Sequence, residues 1–328
     1  MHTIGKEQMM EPDDLLRPSR RSLIGAGLGG IVLGPSLGGV RANPSVDDGR
    51  VLRIAYLTDV HVQPERSGEQ GFAACLAHVQ AGEDPPDLVL FGGDNVMNVD
   101  SEDGRLRAKP QLDSWNRVVA ADLGLPHRTV IGNHDILAMD PIDGRKWACD
   151  AYGLDRGHYA WDQAGWRFVV LDSTSPNVLR GGEGGYKGLL DDEQFDWLDR
   201  TLRDTPDGMP VCVISHIPIL SACVFFDGEN EKTGDWSVPG AWMHLDARRI
   251  KDCFRKHDNV RLCLSGHLHL AEVVEYLGVR YACGGAVCGG WWDGPYHEFE
   301  PGYLLVDLHA DGRNDVSFQT YGWVPPGE

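Results

Sequence analysis

Short apolar runs alternate with polar loops along the chain, broken by a few stretches of helical periodicity. Runs at 52–57, 88–91, 128–131, 166–171, 211–214 and 260–264 read as strands, and 273–276, 279–283, 303–307 and 316–320 join them. Helical spacing covers 71–80, 111–123, 191–202 and 245–256. In the third of these Asp191 precedes Gln194 by three residues, a capping-box arrangement. Its Phe195, Trp197, Leu198 and Leu202 recur at helical spacing, which reads as core packing. Strands alternate with helices in the N-terminal half, whereas the C-terminal half is richer in strands joined by short turns. That pattern argues an α/β fold around a mixed central sandwich rather than an all-parallel sheet. Segment 221–240 lacks periodicity and reads as a long surface loop.

The first 42 residues stand apart. Arg20 and Arg21 precede a glycine-rich apolar run from Leu23 to Val40, and Val40-Arg41-Ala42 closes it. Seven of the run's eighteen residues are Gly and Pro35 lies inside it, so it suits a removable signal better than the alternative, an uncleaved N-terminal anchor. The reading is a twin-arginine export signal at 1–42, removed to leave 43–328 as one domain with a strand-rich C-terminal extension from about 271. It implies a periplasmic or extracellular protein with no stable membrane span after processing. Loss of 1–42 removes five basic and four acidic side chains, so the remainder carries −20.

Charge narrows the partners. Lys and Arg total 30 against 49 Asp and Glu, a net charge of −19. Such a chain repels a phosphate backbone, so duplex nucleic acid is not expected as a partner, while a small anion at a locally positive site remains compatible. The eight cysteines form no C-x-x-C pair, which excludes a zinc ribbon or thioredoxin-type motif. Cys212 and Cys263 sit in apolar runs as small buried hydrophobes, and spacing does not decide whether any disulfide forms after export. Spacing is equally silent on oligomeric state.

Five polar blocks each follow an apolar run: Thr58-Asp59-Val60-His61, Gly92-Gly93-Asp94-Asn95, Gly132-Asn133-His134-Asp135, Ser215-His216-Ile217-Pro218 and Gly266-His267-Leu268-His269. Singly, each has an ordinary explanation as a turn or a strand-end histidine. Together they place Asp, Asn and His at strand ends, where α/β sheets bind ligands. Two carboxylates, an amide oxygen and four imidazoles besides His134 make a nitrogen and oxygen set without thiolate. That set suits two divalent ions, Mn, Fe or Zn, arranged as a dinuclear centre.

The series Asp59-x-His61, Gly93-Asp94, Gly132-Asn133-His134-Asp135, Val213-x-x-His216 and Gly266-His267-x-His269 resembles the calcineurin-like metallophosphoesterase superfamily. Gly188-Leu189-Leu190 with Gln194, Trp197 and Leu198 is similar to a helix of its bacterial exported phosphodiesterase-like branch. The resemblance implies a four-layer αββα sandwich of two mixed β-sheets flanked by helices. It implies that Asp59, His61 and His269 bind one metal, that Asn133, His216 and His267 bind the other, and that Asp94 bridges. His134 then faces the substrate as proton donor or transition-state stabiliser, with Asp135 orienting it. Met97 stands where purple acid phosphatases carry tyrosine, and His61 where they carry glycine, so a ferric-tyrosinate centre is not expected.

The function so implied is hydrolysis of a small phosphoric ester, a diester before a monoester, by a metal-bridging hydroxide with His134 as general acid. The alternatives are a pyrophosphatase acting on nucleotide conjugates and, in a different class, a catalytically silent scaffold of the same fold. All seven ligand positions are filled, which weighs against the scaffold. The glycine pairs around Trp291 and Trp292 permit close backbone approach, and either tryptophan is a candidate to stack on a base, with core packing the plainer role.

Overall fold

A continuous apolar run forms a strand here because it is covered on both faces. In the computed structural model β1 (Arg50–Leu57) turns Leu52, Ile54 and Tyr56 to one side and Ala55 and Leu57 to the other, all buried. The structure describes residues 49–101, 103–177, 185–226 and 234–327. The export signal expected at 1–42 and positions 227–233 of the expected surface loop lie outside the described residues.

The further elements are α1 (Gly68–Gln80), β2 (Leu88–Phe91), α2 (Gly104–Asp122), β3 (His127–Thr129), α3 (Asp143–Tyr152), β4 (Tyr159–Gln163), β5 (Trp166–Leu171), β6 (Thr174–Asn177), β7 (Gly185–Gly188), α4 (Asp192–Arg203), β8 (Val211–Ser215), α5 (Ala247–Phe254), β9 (Val260–Ser265), β10 (Ala271–Tyr276), β11 (Val279–Gly284), β12 (Gly302–His309) and β13 (Asn314–Thr320). One sheet runs β13-β12-β1-β2-β3, with β1, β2 and β3 parallel and β12 and β13 antiparallel. The other runs β10-β11-β9-β8-β5-β4, parallel through β11, β9, β8 and β5 with an antiparallel strand at each edge.

Three apolar layers glue four structural ones. Leu90, Ile214 and Leu264 meet between the sheets, Phe72 and Trp115 pack α1 and α2 onto the first sheet, and Leu198 and Ile250 pack α4 and α5 onto the second. The architecture is therefore the four-layer αββα sandwich of two mixed sheets. The C-terminal strands complete it: β10 and β11 extend one sheet, while β12 inserts beside β1 in the other.

Local differences have local causes. Strand β4 was not legible because it is an edge whose positions alternate between half-buried and exposed, with the polar Asp162 and Gln163 among them. Hairpin β6–β7 is too short and polar for a period to register. At α4, Asp191 caps by accepting the Gln194 N–H (2.8 Å), but the reciprocal half of the box is absent. The Gln194 side chain instead clamps Asp172, accepting its N–H and donating to its carbonyl (2.8 and 3.0 Å). No helix among the described residues is long and apolar enough to cross a membrane.

Candidate metal centre

Strands β1, β2, β8 and β9 end side by side, and the loops that leave them meet. Asp59 N–H donates to Gly93 O (3.0 Å) and His61 N–H to Asp94 O (2.9 Å), which knits the first two blocks together. Asp59, His61, Asp94, His267 and His269 all adopt left-handed backbone conformations, with φ of 54°, 46°, 51°, 74° and 58°. Each such non-glycine residue costs on the order of 1–2 kcal/mol. Glycines make the crowding feasible: a Cβ at Gly132 would strike Asp94, and one at Gly266 would strike Thr58 and Asp59.

The two carboxylates are each pinned by one oxygen and left open at the other. Thr58 Oγ1 (2.7 Å) and His267 N–H (2.9 Å) donate to Asp59 Oδ2, while Oδ1 has no hydrogen-bond partner and faces His269 Nε2 (3.4 Å) and His61 Nε2 (3.8 Å). Likewise His134 N–H donates to Asp94 Oδ1 (2.8 Å), and Oδ2 lies between His216 Nε2 (3.2 Å) and His61 Nε2 (3.6 Å). Asn133 Oδ1 is 3.2 Å from His216 Nε2, and His267 Nδ1 has no partner. Six of these seven side chains are buried, and His267 is half-buried.

Three imidazoles share one device. His61 Nδ1 faces Met97 O (3.3 Å), His216 Nδ1 faces Gly92 O (3.0 Å) and His269 Nδ1 faces Gly289 O (2.7 Å). A carbonyl only accepts, so Nδ1 carries the proton and the neutral ring turns the Nε2 lone pair inward. His61 Nε2 and His269 Nε2 then stand 3.1 Å apart. Inward lone pairs beside an unpartnered carboxylate oxygen repel one another unless a cation lies among them, so these residues fit a divalent metal. Where protons balance the charge instead, burial opposes ionisation of His216, but Asp94 outweighs it and pushes the imidazole up to about 9. Burial holds His61 down at about 3 and His267 at about 4.

The sequence reading requires one correction. Asp135 does not orient His134. Its carboxylate accepts from Asn95 N–H (3.0 Å), Asn95 Nδ2 (3.0 Å), Val96 N–H (3.2 Å), Gly132 N–H (2.8 Å) and Tyr152 OH (2.7 Å), which clamps the second block to the third. Burial, then the charge of Asp94, lifts its pKa against those donors. The carboxylate nearest the His134 ring is Asp100, at 3.7 Å from Nδ1. His134 itself is a quarter exposed and stands edge-on to His61, with ring centroids 4.8 Å apart.

Three further features come from the tertiary structure. Trp291 and Trp292 part company. Trp292 is buried against Gly71 of α1 and donates from Nε1 to His61 O (2.9 Å), so it supports a centre residue from behind. Trp291 stands over His269 at 4.7 Å and, with Tyr186, Trp242 and Tyr296, rims a 270 Å³ cleft floored by His61, Asp94, His134, His267 and His269. The glycine-rich loop after β11 brings them there, since Val287 N–H and Cys288 N–H donate to Thr58 O and Asp59 O. The third feature is a buried Ser215–His244–Asp246 relay, with His244 Nε2 3.0 Å from Ser215 Oγ and Nδ1 2.8 Å from Asp246 Oδ1. It has the outline of a nucleophilic triad. However, Ser215 Oγ is buried and donates to Ile217 O (2.7 Å), so it secures the turn bearing His216 rather than meeting a substrate.

Known proteins place this geometry. The chain is 28% identical to a probable cyclic nucleotide phosphodiesterase of Synechococcus sp., over 81% of this chain and 91% of that one. It is 27% identical to a 3′,5′-cyclic adenosine monophosphate phosphodiesterase of Pseudomonas aeruginosa, over 69% and 72%. A dimetal phosphatase from Danio rerio shares the fold at a TM-score of 0.59 and 16% identity, over 83% of this chain and 97% of that one. The model of the calcineurin-like phosphoesterases matches residues 52–271, the stretch that carries all five blocks. On that match the chain belongs to the calcineurin-like phosphoesterase family, hydrolases of phosphoric esters that use divalent metals.

Proposed function

We propose that the chain is a two-metal phosphodiesterase whose preferred substrate is a compact diester bearing an aromatic base, a cyclic nucleotide in the first instance. The observation that carries this reading is the aromatic rim set directly above the donor cluster. A 270 Å³ cleft suits a small diester, and Trp291, half-exposed over His269, offers a face on which a base stacks. The names of the cyanobacterial and Pseudomonas relatives support the same substrate class.

In this reading Asp59, His61 and His269 would hold one ion, Asn133, His216 and His267 would hold the other, and Asp94, whose Oδ2 lies between His61 and His216, would be shared by both. The bound pair supplies Lewis acidity toward the phosphoryl oxygens and acidifies water. The protein supplies placement and a proton. His134 is anchored through its own N–H on Asp94, so its ring is fixed beside the floor of the cleft, and it donates a proton to the departing alkoxide. Asp100 is the carboxylate positioned to stabilise its imidazolium form. The paired arginines and weakly apolar run at 20–40 support export by the twin-arginine route. Replacing Arg20 and Arg21 by Lys is expected to retain the precursor in the cytoplasm, and normal export of that variant would sink this part.

The test is a substrate panel: 3′,5′-cyclic nucleotides, bis-p-nitrophenyl phosphate, a glycerophosphodiester, a nucleotide-sugar and a phosphomonoester. The cyclic nucleotides are expected to give the highest kcat/KM. Trp291→Ala is expected to raise KM for them by about 5- to 150-fold, the worth of one base–aromatic stack, and to leave the glycerophosphodiester nearly unaffected. Preference for the nucleotide-sugar would favour the pyrophosphatase. No turnover of any ester by metal-loaded protein would favour the scaffold.

A further inference from the structure

Helices α4 and α5 lie side by side on the outer face of the six-stranded sheet, away from the cleft-lining residues. One end of the pair is tied by Arg249, whose Nη1 meets Asp192 Oδ1 (2.7 Å) and whose guanidinium covers the Phe195 ring (3.7 Å). At the other end three different metal-binding side chains converge. Asp199 of α4 faces Cys253 of α5 and His257 of the turn that follows, and one ligand atom from each lies within 4.8 Å of the other two. We propose that Asp199, Cys253 and His257 bind a zinc ion that staples α4 to α5.

The distances carry the assignment. With zinc–sulfur bonds of about 2.3 Å and zinc–nitrogen or zinc–oxygen bonds of about 2.1 Å, tetrahedral ligands stand roughly 3.6 Å (S to O) and 3.4 Å (N to O) apart. Cys253 Sγ is 3.4 Å from Asp199 Oδ1, and His257 Nε2 is 3.7 Å from the same oxygen. Cys253 lies in the last turn of α5, and the chain folds back just after the helix, with His257 N–H donating to Phe254 O (2.9 Å), which brings His257 to the same side. A plain hydrogen-bonded cluster accounts for less. Cys253 donates to Asp199, but His257 Nε2 is enclosed and makes no hydrogen bond, a polar atom that an ion would satisfy.

Charge permits it. Binding transfers the Cys253 thiol proton to solvent. The thiolate and the Asp199 carboxylate then offset the ion's two charges, with His257 neutral. The competing cations are Lys256 Nζ, 3.9 Å from Asp199 Oδ1, and Arg203 Nη1, 4.0 Å from Oδ2. Both side chains are mostly in water, 67% and 58% exposed, and are free to swing aside. Asp199 is itself one-third exposed, which leaves the fourth position to water.

The experiment titrates purified full-length protein with Zn(II) and Co(II) and does not depend on the identity of the substrate. Wild type is expected to bind one ion beyond those lost in Asp94→Ala. With Co(II) it should develop a thiolate charge-transfer band that Cys253→Ser abolishes and Cys288→Ser retains. Zinc should raise the Tm of wild type by about 5 °C more than that of Cys253→Ser or Asp199→Asn. Phosphodiester turnover of Cys253→Ser should remain within about twofold of wild type, since the residue lies outside the cleft. If Cys253→Ser folds poorly, His257→Gln carries the same stoichiometry test. A thiolate band that survives Cys253→Ser, or a zinc-induced Tm shift equal in wild type and variants, would overturn the staple.

Discussion

Two buried polar clusters adjoin at the end of β8, and they differ in one respect. In the Ser215–His244–Asp246 relay every polar atom that the geometry brings together is matched: Ser215 donates to a carbonyl, His244 joins Ser215 to Asp246, and Asp246 also accepts the Leu190 N–H (3.1 Å). In the cluster around Asp59 and Asp94, Asp59 Oδ1, Asn133 Nδ2, His134 Nδ1 and His267 Nδ1 have no hydrogen-bond partner among the described residues, and inward lone pairs crowd at 3.1 Å. A satisfied buried network stabilises the chain that contains it. An unsatisfied one is retained at a cost, which points to a ligand. The outline of a catalytic triad is thus a weaker sign of chemistry here than unmatched valences are.

The comparison breaks most visibly at Asp94. Asp94→Ala removes the one oxygen that both halves of the centre share, and diester hydrolysis should fall by more than about 10³-fold with loss of bound metal by elemental analysis. Full metal content in that variant would mean that the two halves are independent. His134→Ala should depress turnover of an alkyl diester by roughly 10²–10⁴-fold, with a clearly smaller loss on a nitrophenyl diester, because nitrophenolate leaves without a proton. Metal content should stay near wild type. Equal losses on both diesters would reassign His134 to charge stabilisation without proton transfer.

Proton linkage sharpens the contrast. His216 is raised above its ordinary 6.5 to about 9, so in chelator its contribution to stability is fully present below pH 6.5 and is lost as pH rises through 9. A metal must displace that proton, so affinity should climb by about tenfold per pH unit over the same interval. Isothermal titration in two buffers of different ionisation heat measures the released proton. Affinity that is flat from pH 6.5 to 9 would show that His216 is already deprotonated. The smallest effect belongs to the satisfied cluster. His244→Ala should cost about 1–3 kcal/mol in denaturant unfolding, the penalty of unpairing a buried network. At saturating metal its kcat should stay within about threefold of wild type. A collapse of kcat in a well-folded His244→Ala protein would make the relay part of the chemistry.

Much of the centre was legible because its residues follow apolar runs, and such runs become buried strands whose carboxyl ends share one edge. Val60, Val62 and Val96 are buried like the ligands beside them, so burial alone does not separate the roles. Block order and residue type do separate them. Side-chain direction was not legible. Asp135 lies next to His134 in sequence, yet the short helical turn at Asn133–Asp135 sends its carboxylate back to Gly132, Asn95 and Val96. The histidines of the centre gave no local sign of the carbonyls that set their tautomers, because Gly289 lies 20 residues from His269 and Gly92 lies 124 from His216.

What the sequence by itself determined is therefore the fold class, the family and the five polar blocks that the fold brings together. Each rests on residue type at fixed local spacing, and a strand end with Asp, Asn or His carries its chemistry wherever the strand is placed. Only the tertiary structure decided which adjacent residue does what. It parted Trp291 over the cleft from Trp292 against Gly71, gave Asp100 rather than Asp135 to His134, and closed the relay through His244. Those outcomes depend on left-handed turns and on contacts between segments set well apart in sequence, from 29 residues between Ser215 and His244 to more than two hundred between Gly71 and Trp292. Such contacts are selected by packing and by the matching of buried polar atoms, and neither leaves a mark in local spacing.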